Sequence, residues 1–139
     1  MRTTLTPKQV VQRYLDALVQ GDIATIRASF AEDATWTIHG ELPIAGPWEG
    51  RDRIVDDFLG RVGGSLFEPG SQSFEFPTLI AEGDTVALEW RVSARTARGA
   101  AYENAYCGFF VVRDGRIRAV REYLDSGYAA RTLFDAVAA

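Results

Sequence analysis

From Phe74 to Asp125 the chain is an almost unbroken succession of strand signals, and this half constrains everything else. FEFPTLIAE and TVALEWRVSARTA meet at Gly83-Asp84; AYENAYCGFFVV and RIRAVREYLD meet at Asp114-Gly115. Runs rich in aromatic and β-branched residues, broken by Gly and Asp, are the pattern of antiparallel hairpins. Four such strands have an apolar face to bury, so the residues before them must supply a cover.

Those residues read as helices. Thr6 and Pro7 suit an N-cap and a first helical position, with Gln9 completing a capping box. Val10, Val11, Tyr14, Leu15 and Leu18 recur at helical spacing until Gly21 stops them. Asp22 caps a second short helix that turns Ile23, Ile26 and Phe30 inward, and DATWTIHG is a first strand with Ala34, Trp36 and Ile38 on one face. After a Gly/Pro loop, Arg51 to Arg61 forms a third helix with Ile54, Val55, Phe58 and Leu59 as its apolar stripe, ended by GGS. The tail SGYAARTLFDAV reads as a short final helix. Helices followed by hairpins predict an α+β fold with helices on one face of a sheet. At 139 residues, a single domain spanning 1–139 is expected.

Composition then excludes several function classes. Net charge is −4 without a basic stripe, which argues against nucleic acid as a partner. One Cys and one His do not make a zinc site, no calcium-loop spacing appears, and no glycine motif cradles phosphate. Neither a metal nor a cofactor is expected. No apolar run approaches the roughly 20 residues that span a bilayer, and MRTTLTPKQV lacks a signal peptide's apolar core. We therefore expect a cytoplasmic protein with no membrane partner. Several strands are apolar on both faces, and a second aromatic sheet face wants another cover. A homodimer through the outer face of the sheet is expected.

RYLDALVQGDIATIRASFAEDATW, followed by GRDRI on the third helix, resembles the nuclear-transport-factor-2-like superfamily. Ketosteroid isomerase, limonene epoxide hydrolase and the SnoaL-like polyketide cyclases belong to it. YENAYCGFFVVRDGRIRAVREYLD is similar to the SnoaL-like branch in particular. The resemblance implies a cystatin-like, curved antiparallel sheet forming a cone-shaped barrel, with three N-terminal helices packed on its concave face. Against ketosteroid isomerase, Tyr14 falls at the oxyanion-hole tyrosine. The base position falls on Ile38, beside His39, and the acid position near Gly108, so that enzyme's mechanism is not carried over. Against limonene epoxide hydrolase, EWRVS supplies Arg91, Ser93 stands in the acid's place, and Glu122 of REYLD stands in the base's place. Trp36 and Ile38 occupy the water-holding positions. A serine hydroxyl does not donate a proton as a carboxylic acid does, so that constellation is half kept.

Which residues face the implied pocket depends on the hairpin at VVRDGRI. A two-residue turn pairs Arg113 with Arg116 and sets Cys107 opposite Glu122; a three-residue loop bulged at Gly115 pairs Val112 with Arg116 and sets Tyr106 opposite Glu122. A shift of one residue exchanges the faces. The resemblance favours the bulged form, which sends Glu89, Arg91, Ser93, Asn104, Tyr106, Val120, Glu122 and Leu124 inward. Trp90, Cys107, Phe109, Ile117 and Tyr123 then face outward.

The resulting expectation is a mostly apolar cone with a polar floor that binds a small apolar organic molecule. Glu122, Arg91 and Tyr14 are the candidate catalytic residues, as base, electrostatic partner and hydroxyl donor. Trp36, Ile38, His39, Trp48 and Phe58 join the inward strand residues as ligand contacts. An imidazole suits a general base, but strand alternation puts His39 at the rim or surface. Cys107, in mid-strand, reads as inert. Cofactor-free isomerisation, cyclisation or hydrolysis fits this set. The alternative is a non-catalytic, dimeric ligand-binding or accessory module that has lost the family's catalytic residues.

Overall fold

The computed structural model describes residues 4–134. Helix α1, Pro7–Gln20, starts as the sequence dictates: Thr6 Oγ accepts from the Gln9 N–H and the Gln9 side chain accepts from the Thr6 N–H. Such a cap is worth about 1 kcal/mol. Gly21 ends the helix at φ +70°, a left-handed conformation that a Cβ would penalise. Asp22 caps α2, Ile23–Ala28, by accepting from the Thr25 N–H and hydroxyl.

The sheet has six strands in the order β2-β1-β6-β5-β4-β3. These are β1 (Phe30–Ile38), β2 (Trp48–Glu49), β3 (Ser73–Glu82), β4 (Thr85–Arg95), β5 (Ala101–Arg113) and β6 (Arg116–Leu124). β2 lies in the predicted Gly/Pro loop. All neighbours are antiparallel except β1 and β6, which run parallel. The parallel pair follows from the route of the chain: β1 forms before the helical crossover, and β6 returns to its side. The α+β expectation of helices covering a curved sheet holds.

The third helix differs in kind. Arg53–Val62 is π-helical, and the Gly63 N–H reaches back to the Phe58 carbonyl, five residues earlier. GGS does not end it, because Gly63–Leu66 continues as α3. Wide turns of this sort are frequent at functional sites. Helix α4, Ser126–Leu133, is capped by Asp125, whose side chain accepts from the Tyr128 N–H. The predicted continuation of that tail through Val137 lies outside the described residues from Asp135 onward.

The hairpin register is neither of the two predicted. The turn at Asp114-Gly115 is the two-residue form, pairing Arg113 with Arg116 and Val112 with Ile117. A bulge at Arg118 then shifts the ladder, so Val111 pairs with Ala119, Phe110 with Val120 and Gly108 with Glu122. The extra residue restores the phase predicted for Tyr106, Val120, Glu122 and Leu124. Ile117 corrects the other way: it is buried, because it pairs with inward Val112 before the bulge.

One hydrophobic core runs from α1 across the inner sheet face to the wide helix and α4. Tyr14 of α1 packs edge-on against Phe30, and Trp36 of β1 lies between Phe58 and Phe110, with ring centroids 5.3 and 5.9 Å away. Among the described residues, no helix is long and apolar enough to cross a membrane.

Candidate active site

The helices leave part of the inner sheet face uncovered, creating a cavity of about 360 Å³. Tyr14, Leu15 and Leu18 of α1 form one wall, and Phe58, Leu59 and the backbone at Gly60, Gly63 and Gly64 form another. The sheet contributes Trp36, Leu88, Trp90, Val92, Tyr106, Phe110, Glu122 and Leu124. Ala129 and Leu133 of α4 close one side, and Phe67, Phe74 and Phe76 border it further.

Glu122 is the polar centre of this apolar space. It is only 6% exposed, and its Oε1 accepts one hydrogen bond, from the Trp36 indole N–H at 3.0 Å. No other partner for the carboxyl exists among the described residues, and neither oxygen is sealed off without a partner. Burial therefore dominates and raises its pKa from 4.5 to about 7, with the Trp36 hydrogen bond opposing in part. A carboxyl that changes charge near neutrality is suited to giving and taking protons. The Tyr14 hydroxyl makes no hydrogen bond among the described residues, and burial, then the Glu122 carboxylate, push its pKa well above the ordinary tyrosine range. It remains a neutral donor at every working pH.

The predicted site residues separate into three groups. Tyr14, Trp36, Phe58, Tyr106, Glu122 and Leu124 line the cavity as expected. Ile38 and Val120 are buried on the same sheet face but lie outside its lining. Trp48 stands one layer back, stacked on Phe58 at 5.3 Å with its N–H on the Ile44 carbonyl. Asn104 is buried behind the wall, against Tyr102.

The third group is a correction. Glu89, Arg91 and Ser93 are exposed on the outer face, and Trp90 is inward, the reverse of the expectation. Cross-strand partners share a face, and Trp90 pairs with Tyr106 while Glu89 pairs with Cys107. The Glu89 carboxylate accepts from the Thr78 hydroxyl on the outside. Arg91 therefore has no access to Glu122 and is not its electrostatic partner. His39 is also corrected from ligand contact to outer surface, where its ring lies 5.1 Å from that of Tyr123. Alternation along β1 puts it there, and no bulge intervenes between Trp36 and Ile38.

Sequence reasoning missed Leu88, Trp90, Val92 and Phe110 as lining residues. The alternation Val86, Leu88, Trp90, Val92 against Ala87, Glu89, Arg91, Ser93 carried that signal. Nothing local foretold Leu42 and Ile44, which come from the Gly/Pro loop to line the cavity.

A family profile described as SnoaL-like domain matches residues 11–120. No curated protein matches the sequence. Among solved structures, a nuclear-transport-factor-2-like protein from Burkholderia thailandensis is 28% identical, with a TM-score of 0.81 over 95% of this chain and 98% of that one. Bal32a, from a soil-derived mobile gene cassette, is 27% identical, with a TM-score of 0.80 over 91% and 95%. An epoxide hydrolase of the limonene-epoxide-hydrolase-like type from M. tuberculosis is 23% identical, with a TM-score of 0.73 over 95% and 92%, a likeness of fold alone. With a family match across most of its length and these folds alongside it, the chain belongs to the SnoaL-like domain family, within the nuclear-transport-factor-2-like superfamily.

Proposed function

We propose that this protein is an acid–base enzyme that works without a cofactor on a small, largely apolar organic molecule held in the cavity. One observation carries the reading: Glu122 is a buried carboxyl with a single hydrogen bond among the described residues, facing an apolar space whose lining includes no arginine. Such a group has a pKa near neutrality and meets a bound molecule without a shell of water. The free Tyr14 hydroxyl is the neutral donor beside it, suited to a ligand oxygen that gains negative charge. Isomerisation, cyclisation and addition of water all need a group that moves a proton in this setting. An epoxide hydrolase among the structures of this fold is consistent with a site of this kind.

The test needs no natural substrate. 5-Nitrobenzisoxazole fits an apolar pocket, and a base that removes its C3 proton breaks the N–O bond to give a coloured cyanophenolate. Glu122 takes the proton, and the bond electrons leave on the phenolic oxygen. Turnover should exceed buffer, rise with pH through about 7 as Glu122 ionises, and vanish in Glu122→Gln. A rate equal in wild type and Glu122→Gln refutes the assignment.

A further inference from the structure

Behind the cavity wall, β5 carries a chain of hydrogen bonds that this acid–base reading leaves unused. Asn104 Nδ2 donates to the Tyr102 hydroxyl at 2.9 Å and to the Asp125 carbonyl at 3.2 Å, while its Oδ1 accepts from the Ala105 N–H at 2.8 Å. A carbonyl only accepts and a backbone N–H only donates, so the amide has one consistent orientation, with its NH2 toward Tyr102. Tyr102 is fully buried, and its hydroxyl also contacts the hydroxyl of Tyr106. Asn104 already donates to the Tyr102 oxygen, so Tyr106 is the acceptor left for the Tyr102 proton. The opposite sense would bury that proton with no other acceptor among the described residues, which is costly. Tyr102 therefore donates to Tyr106, and the Tyr106 proton is left over on a residue that lines the cavity.

We propose that Asn104 and Tyr102 position Tyr106 as a one-way hydrogen-bond donor, so that the cavity selects an apolar ligand carrying an acceptor oxygen, such as a carbonyl. The inference deepens the reading of the cavity as a ligand site and rests on it. Trp90 lies flat on the Tyr106 ring, with centroids 5.2 Å apart and planes 6° from parallel, which fixes where the hydroxyl points. Donation along the chain polarises each hydroxyl and strengthens the last one. Gly108 pairs with Glu122 and Tyr106 with Leu124, so Tyr106 and Glu122 are diagonal neighbours on one face. A ligand oxygen on Tyr106 brings the carbons next to it toward the Glu122 carboxyl. Glu122 and the exposed Glu68 are the charged residues of the lining, so the same cavity disfavours a carboxylate.

The test compares 2-acetylnaphthalene with 2-isopropenylnaphthalene, which differ by a carbonyl oxygen in place of a CH2. Wild type should bind the ketone about fivefold more tightly, the worth of one neutral hydrogen bond, with the bound carbonyl stretch at lower wavenumber than in an apolar solvent. Tyr106→Phe should erase the preference. Tyr102→Phe should move the stretch part of the way back and weaken the preference, which a merely structural role would not do. If Tyr102→Phe proves unstable, Tyr106→Phe and the wild-type spectrum still decide. Equal affinity for the two probes, or a stretch unmoved by Tyr102→Phe, overturns the inference. If that happens while Glu122-dependent turnover of the benzisoxazole persists, the acid–base reading stands alone; if neither probe binds and that turnover is absent as well, both fall.

Discussion

Glu122→Gln tests the electrostatic argument through stability, without any ligand. Gln keeps the shape of the protonated side chain and an oxygen that can accept from the Trp36 indole. In the wild type the carboxyl moves from an ordinary 4.5 in the unfolded chain to about 7 in the folded protein. Between those values the folded protein holds a proton that the unfolded chain has released. The contribution of Glu122 is therefore fully present below pH 4.5, falls as pH rises through the window, and is gone above about 7. At about 1.4 kcal/mol for each pH unit, the change amounts to about 3 kcal/mol. Gln carries no such dependence. Urea unfolding of both proteins from pH 4 to pH 8.5 should show the variant gaining on the wild type by about 3 kcal/mol across the range, with most of the change between 4.5 and 7. Comparing the two proteins cancels the pH dependence of every other group. A difference that stays flat within about 0.5 kcal/mol would mean that Glu122 ionises as a solvated carboxylate does, and the case for a proton-moving group would collapse.

Trp36→Phe removes the one hydrogen bond that favours the Glu122 carboxylate, so the midpoint of its titration, followed by the infrared carboxyl band, should rise above about 7. Gly108→Ala places a Cβ 3.0 Å from Trp90 Cζ3 and 3.1 Å from Cη2, and should cost about 1–3 kcal/mol in urea unfolding because Trp90 is wedged against Tyr106. Arg91→Ala, on the outer face, should change benzisoxazole turnover by less than about twofold. A large loss would restore it to the site. We also propose that two copies pair through the outer sheet face, where Tyr123 is 38% exposed beside Phe109 and Cys107 is open. Sedimentation showing only monomer at micromolar concentration refutes this.

The strands and first helices were legible because their signals are local: the Thr6–Gln9 box, the Gly21 stop and the two turns each act within a few residues. The faces of the strands were harder. On β4 the residues' own alternation points Leu88, Trp90 and Val92 inward, but matching EWRVS to an epoxide hydrolase, with Ser93 in the acid's place, draws Arg91 into the site, against the pattern. A functional motif read through a distant relative carries no information about phase, whereas burial does. The π-helical turns at Arg53–Val62 use the residues an α-helix uses, so their extra width is invisible to periodicity. Glu122 was identifiable as an acid in an apolar strand. Its freedom from arginine was not, since that depends on β4 packing with β5.

The bulge at Arg118 has a consequence for how such a site arises and is lost. Continuing the ladder from the turn without it would set Cys107 opposite Glu122 and turn the carboxyl to the outer face. Arg118, paired with Asp33 at 3.5 Å and Asp114 at 3.9 Å, sits where the neighbouring β1 ladder also breaks register, between Phe30 and Thr35. One inserted residue, rather than a new side chain, turns an ordinary surface glutamate into a buried titratable one. A scan of substitutions along β6 would miss that origin. Among related sequences, the length of the segment between the turn and the glutamate would sort proton-moving members from inert ones more cleanly than the identity of any residue in it.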